Sequence, residues 1–275
     1  MPRLLVLSQT HNLWGGIETW MADVLPAFER AGWDVRYGLA LGRRFNQPVT
    51  FVRQHPYIRR WRPLDGRVGT PFARQRAVRA ELEAIQPDVV LPIALGDVWP
   101  AMREFRRHGG ASRVLAAVHS QHGGTLADLV RNADLIGGVG VVSGVLFHGL
   151  GAYFGGAGPP MTWIRNGAPP PSKPRVAPPS SRLRIGYVGR LDTAAKRVLD
   201  LLPILANVAR AGVPIALTVA GNGPAAPAAA LVDMPGNPAY EMLGFVTRER
   251  LYREIYPNLG IVCCCRRRPR ALRWR

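Results

Sequence analysis

The chain has 275 residues, 47% of them apolar, and a mean hydropathy of −0.01. That is enough to bury two cores of ordinary size, and no apolar run approaches the roughly 18 residues of a spanning helix. The formal charge of +18 comes almost wholly from arginine, since Lys173 and Lys196 are the only lysines; with the accompanying wealth of Ala, Gly and Pro, this skew follows in part from GC-rich coding, so it argues weakly for nucleic acid, and no nucleic-acid partner is expected.

Taken in order, Arg3 to Ser8 reads as an apolar strand. Its Leu4 to Leu7 core is too short for a signal peptide, so the cytoplasm is the expected location. Ile17, Met21, Val24, Leu25 and Phe28 then recur at helical spacing until Gly32. Asp34 to Leu41 is the next strand. Between Arg43 and Arg79 ten arginines are interleaved with Phe45, Phe51, Tyr57, Trp61 and Phe72, with Asp65 the one acid inside the span. Such a segment reads as a solvated arginine-rich loop and helix face, or as a surface for anionic lipid or an acidic acceptor. Thr70 to Gln86 is a helix, Asp88 to Ala94 a strand, Val98 to His108 a helix and Val114 to His119 a strand. Leu126 to Ala133 and Leu135 to Val142 repeat the pattern, Ser143 to Phe154 is a glycine-weakened helix, and Met161 to Ile164 a short strand before the Asn166-Gly167 turn.

The prolines between Ala168 and Ser181 cannot sustain helix or ladder hydrogen bonds, so an extended connection is expected at 168–182, after a first domain of residues 1–167. A second series follows: strand Leu183 to Gly189, helix Val198 to Arg210, strand Ile215 to Ala220, a short helix from about Ala226, strand Tyr240 to Val246, helix Arg248 to Tyr256 and strand Leu259 to Cys264. Alternation of this kind predicts two α/β domains with doubly wound parallel sheets, the second spanning 183–264.

Within the second series Gly189-Arg190-Leu191 ends a strand, and Lys196 stands six residues after Arg190, where a helix is expected to begin. A guanidinium fork, a point charge and backbone amides then face one loop, an arrangement suited to a diphosphate. Trp14-Gly15-Gly16-Ile17-Glu18 joins the first strand to the first helix, where glycine lets amides approach a phosphate or sugar; Glu18 is equally explained by helix capping. His119 falls at the carboxyl end of a strand, facing the side on which doubly wound sheets bind ligands.

These residues carry a resemblance. Gly189-Arg190-Leu191 followed by Lys196 resembles the donor-diphosphate signature of the family 4 retaining glycosyltransferases, with Arg197 where that family usually has glycine. The Gly15-Gly16 pair, Asn166-Gly167 and Gly221-Asn222-Gly223-Pro224 are similar to further family motifs. The resemblance implies a GT-B fold: two Rossmann-like doubly wound domains facing a cleft, the second incomplete. It implies a nucleotide-diphosphate sugar as donor, a glycan or lipid-linked acceptor, peripheral contact with the inner face of the membrane, and no metal or other cofactor. Arg190 and Lys196 would neutralise the departing diphosphate, His119 would approach the sugar and acceptor, and Gly15, Gly16, Gly221 and Gly223 would line the donor. The acceptor hydroxyl would attack on the face that the leaving group vacates, so the configuration is kept.

Two rival readings stand beside it. Gly221-Asn222-Gly223-Pro224-Ala225-Ala226 fits a dinucleotide fingerprint, with Glu241 near the place of a ribose-binding acid, although Pro224 removes one amide from the cradle. Residues 266 to 275 hold six arginines and no acid, which a nucleic-acid or membrane tail would explain. The family's Glu-x7-Glu pair does not follow Val262, so a change of reading frame near Cys263, an aberrant tail over 265–275 and weak or absent sugar transfer are expected. His119 and His122 make a poor metal pair, as do Cys263 and Cys265.

Overall fold

The computed structural model describes residues 1–11, 13–41, 47–64, 70–120, 123–167, 181–193, 196–232 and 239–263. The expected linker prolines, His122, Cys264, Cys265 and the arginine tail lie outside them. The chain divides into two compact units, Met1–Gly167 and Ala168–Arg275.

The first unit is built on a seven-stranded parallel sheet in the order β3-β2-β1-β4-β5-β6-β7. Its strands are β1 (Arg3–Ser8), β2 (Asp34–Ala40), β3 (Trp61–Leu64), β4 (Val89–Ile93), β5 (Arg113–Val118), β6 (Ile136–Val141) and β7 (Met161–Trp163). Leu4 to Leu7 of β1 are all fully buried. Neighbours on a strand point to opposite faces, so this central strand is covered twice. Leu4 and Val6 meet Met21 and Leu25 of α1 (Gly16–Arg30) and Phe51 of α2 (Pro48–Gln54). Leu5 and Leu7 belong to the other core, with Val78 and Leu82 of α3 (Pro71–Ile85), Met102 and Phe105 of α4 (Val98–Arg107), Leu126 of α5 (Gly123–Arg131) and Leu146 and Leu150 of α6 (Gly144–Phe154). Thr70 caps α3 by accepting from the Ala73 amide, and Ser143 caps α6 by accepting from the Leu146 amide. Arg74 and Asp97 join α3 to the start of α4 at 2.7 Å.

The second unit carries a four-stranded parallel sheet in the order β10-β9-β8-β11, from β8 (Leu183–Val188), β9 (Ile215–Ala220), β10 (Ala239–Gly244) and β11 (Ile261–Cys263). Ile185 and Tyr187 of β8 pack with Leu217 and Val219 of β9, Leu201 and Leu205 of α7 (Leu201–Arg210) and Leu231 of α8 (Ala225–Val232). Residues 248–258 form a mixed helical stretch: one turn at Arg248–Arg250, a wider turn at Leu251–Ile255 and a tight one at Tyr256–Asn258.

Three expectations are corrected here. The segment 43–79 holds two elements read as loop: α2, which opens on Pro48 where no amide partner is needed, and β3, which carries Pro63 because it is the sheet's edge strand. Its arginines are also less free than the segment's own acid count implies. Arg60 pairs with Asp34, Arg62 with Glu81, Arg74 with Asp97 and Arg79 with Glu83. Finally, Lys196 does not open a helix. It precedes Arg197, which has φ 48° in the left-handed region, and a tight turn at Val198–Asp200 comes before α7 begins.

Candidate functional site

Both sheets reverse their winding beside the first strand of their unit: β1 has β2 on one side and β4 on the other, and β8 has β9 and β11. Doubly wound folds bind ligands outside the carboxyl ends of the strands at this switch point. The loop after β1 ends at Gly15, with Gly16 opening α1, and the loop after β8 carries Arg190 and Lys196. Gly15, Gly16, Arg190 and Lys196 therefore follow the carboxyl ends of the strands at these switch points.

At the small sheet's carboxyl edge three loops are locked backbone to backbone. The Gly221 amide donates to the Gly244 carbonyl at 2.7 Å, and the Leu191 amide donates to the Asn222 carbonyl at 3.0 Å. Gly221 has φ 150°, and a Cβ placed there would stand 1.8 Å from the Gly189 carbonyl oxygen. A Cβ on Gly223 would come within 2.5 Å of the Leu191 carbonyl oxygen. No side chain fits at either place, so the chain's own backbone accounts for both glycines. The Tyr187 hydroxyl donates to the Arg190 carbonyl at 2.7 Å, and Leu191 is buried beneath, so the backbone of Arg190 is fixed. Its side chain is 57% exposed, and the guanidinium pairs loosely with the Asp192 carboxylate at 3.9 Å. The Val198 amide donates to the Asp192 carbonyl at 3.2 Å, closing a short loop that contains the half-buried Lys196. Arg190 and Lys196 thus stand on one loop, between the backbone bonds made at Leu191 and Val198.

At the large sheet's carboxyl edge side chains do the fixing. The Thr10 hydroxyl donates to the Ala40 carbonyl at 3.0 Å and ties the loop after β1 to the end of β2. Gly15 precedes α1, with the buried Glu18 folded back so that its Oε2 would lie 2.7 Å from a Gly15 Cβ; nothing lies within 4 Å of a Cβ on Gly16. Trp14 donates from Nε1 to Gln54 Oε1 at 3.3 Å, and its ring lies 4.5 Å from that of His55. His55 is fully buried, and its Nε2 bonds the Leu13 carbonyl at 2.7 Å. His119 follows β5, its ring edge-to-face with Trp20 of α1 at 4.9 Å and 71°. Among the described residues its Nε2 is buried without a hydrogen-bond partner, and burial pushes the imidazole pKa below its ordinary value, which favours the neutral ring at pH 7.

Sequence reasoning missed Gly244, Tyr187 and Trp20. Gly244 had a signal, because Gly189, Gly221 and Gly244 each stand at the end of their strand. Trp20 had none, because its partner is 99 positions away. Asn166 and Gly167 form irregular chain after β7. Among the described residues no group of three His, Cys, Asp or Glu could hold a metal, and no helix is long and apolar enough to cross a membrane.

Solved structures with this architecture were found at low identity. The lipopolysaccharide outer core galactosyltransferase WaaB matches with a TM-score of 0.66 at 16% identity, over 95% of this chain and 73% of its own. TarM matches with a TM-score of 0.68 at 10% identity, over 95% of this chain and 80% of its own. The chain has the GT-B fold. HepE of Anabaena, solved in complex with UDP, matches with a TM-score of 0.61 at 15% identity over 95% of this chain and 73% of its own. The GT-B architecture here pairs a larger first sheet with a smaller second one. No family model matches the sequence, and no curated protein matches it.

Proposed function

We propose that the chain is a retaining glycosyltransferase of the family 4 type, which moves a sugar from a nucleotide-diphosphate donor to an acceptor hydroxyl. The observation that carries this reading is the loop after β8, where Arg190 and Lys196 stand on a base braced by Tyr187 and by the Gly221 loop. Fixed cations lower the cost of charge growing on a leaving diphosphate, because they need no reorganisation as the bond breaks. Gly15 and Gly16 bring backbone close to the donor, Gly221 and Gly223 hold the loop that carries Arg190, and neutral His119 meets a hydroxyl of the sugar or acceptor. Solved GT-B proteins with UDP bound support a nucleoside diphosphate as the donor's leaving group.

The acceptor is a glycan or a lipid-linked glycan. Arg53, Arg59 and Arg76, exposed and with no ion pair among the described residues, together with the exposed Phe72, make the first unit's α2 to α3 side the part that meets an anionic cytoplasmic membrane. The oxidoreductase alternative loses its main support, because Gly221 and Gly223 answer to contacts with Gly189 and Leu191. Calorimetric titration with UDP, GDP, ADP, their monophosphates and NAD tests the choice. The expected result is one preferred diphosphate that binds more tightly than its monophosphate. Tight NAD binding with no response to any diphosphate would overturn the proposal.

A further inference from the structure

We propose that Trp20 is a positioning residue for His119: the indole face receives the buried imidazole Nε2–H, which fixes that tautomer and leaves the Nδ1 lone pair facing outward at the end of β5. Among the described residues His119 Nε2 is buried with no nitrogen or oxygen partner, yet its ring meets the Trp20 indole at 4.9 Å between centroids and 71° between planes. A neutral imidazole has one protonated and one bare nitrogen. The bare nitrogen carries a lone pair, which the negative face of an aromatic ring repels; the protonated one carries a positive edge, which that face attracts. Of the two tautomers, only Nε2–H turns the buried contact into an attraction. Burial, which depresses the pKa of this histidine, keeps the ring in its neutral form and so makes the tautomer matter.

His55 gives an internal contrast. Its Nε2 meets the Leu13 carbonyl, which can only accept, so a backbone oxygen sets that ring as Nε2–H. Among the described residues His119 has no such oxygen, and it uses the face of Trp20 for the same purpose. Trp20 lies four residues after Gly16 on α1, hence on the same face of the helix, so the contact also ties the helix that follows the glycine pair to the histidine after β5. The outward Nδ1 is then an acceptor, able to orient a hydroxyl by taking its hydrogen bond. This last consequence rests on the glycosyltransferase reading; the tautomer does not.

Long-range proton–nitrogen correlation spectra of the uniformly nitrogen-15 labelled full chain at pH 7.5, with His119→Gln to assign the signal, read the tautomer directly. The expected spectrum has a protonated Nε2 and a bare Nδ1 at His119. Trp20→Phe, which keeps a π face, retains it, whereas Trp20→Leu lowers the ratio of Nε2–H to Nδ1–H by about threefold. A wild-type His119 found as Nδ1–H overturns the proposal without any variant, and so does an unchanged ratio in folded Trp20→Leu. Absence of nucleotide binding in the calorimetric panel would remove the glycosyltransferase reading and leave this result standing.

Discussion

The carboxyl edges of the two sheets are held in opposite ways. At the small sheet, strand-end glycines bring three loops into backbone contact, and the charged groups stand on top of that base. At the large sheet, side chains supply the order: Thr10 on the Ala40 carbonyl, Glu18 over Gly15, Trp20 against His119. A backbone-locked edge admits no added atom, while an edge fixed by side chains tolerates substitution but answers to pH, because two of its members are histidines, His55 fully buried and His119 half-buried.

The sharpest break of this contrast is Gly221→Ala. A methyl group 1.8 Å from the Gly189 oxygen cannot be accommodated without separating the loops. We expect a loss of about 3 kcal/mol or more, read from urea unfolding by circular dichroism. Six of the seven tryptophans lie within Met1–Gly167, so tryptophan fluorescence should change little in that variant. Gly16→Ala, with nothing within 4 Å, should stay within about 0.5 kcal/mol of wild type. Equal losses for the two variants would end the distinction between the edges.

Acid gives the next effect. Burial lowers the pKa of His55 and of His119 below the ordinary histidine value, and for His55 the bond to the Leu13 carbonyl opposes that only in part. The unfolded chain then takes up protons that the folded chain refuses once pH falls below about 6.5. The stability involved is fully present above that pH and is lost as pH falls toward the lowered folded values, by up to about 1.4 kcal/mol per pH unit for each histidine. All six histidines lie in the first unit, so the loss should be seen in tryptophan fluorescence, and His55→Gln should flatten the profile. A pH-independent midpoint between 6.5 and 5 would contradict the lowered pKa of both rings.

The smallest effect concerns Arg197. A non-glycine residue at φ 48° is strained by roughly 1 kcal/mol, and the partly exposed ion pair with Asp200 returns only part of that. Arg197→Gly should therefore stabilise the second unit by about 0.5 kcal/mol, measured as a higher urea midpoint.

That position shows what was legible in the sequence. The resemblance expected glycine after Lys196, and the left-handed backbone of Arg197 gives the physical reason, although the sequence alone placed Lys196 in a helix that starts later. The parallel sheets, with strands such as Arg3–Ser8 and Ile215–Ala220, were legible because buried β-strands leave apolar runs between glycine and proline breaks. The helix Pro48–Gln54 and the strand Trp61–Leu64 were not, being short, proline-bearing and set among arginines whose partners lie elsewhere in the chain. Contacts across long sequence separations, such as Trp20 with His119 or Gly221 with Gly189, leave no local pattern to read.

The central claim is that the loop after β8 grips a diphosphate through Arg190 and Lys196. Calorimetry of Arg190→Ala and Lys196→Ala with the preferred nucleoside diphosphate and its monophosphate tests it most directly. Each substitution should weaken the diphosphate by about tenfold or more, as the loss of a charge-assisted bond requires, with a smaller effect on the monophosphate. Unchanged diphosphate affinity in both folded variants would contradict the account.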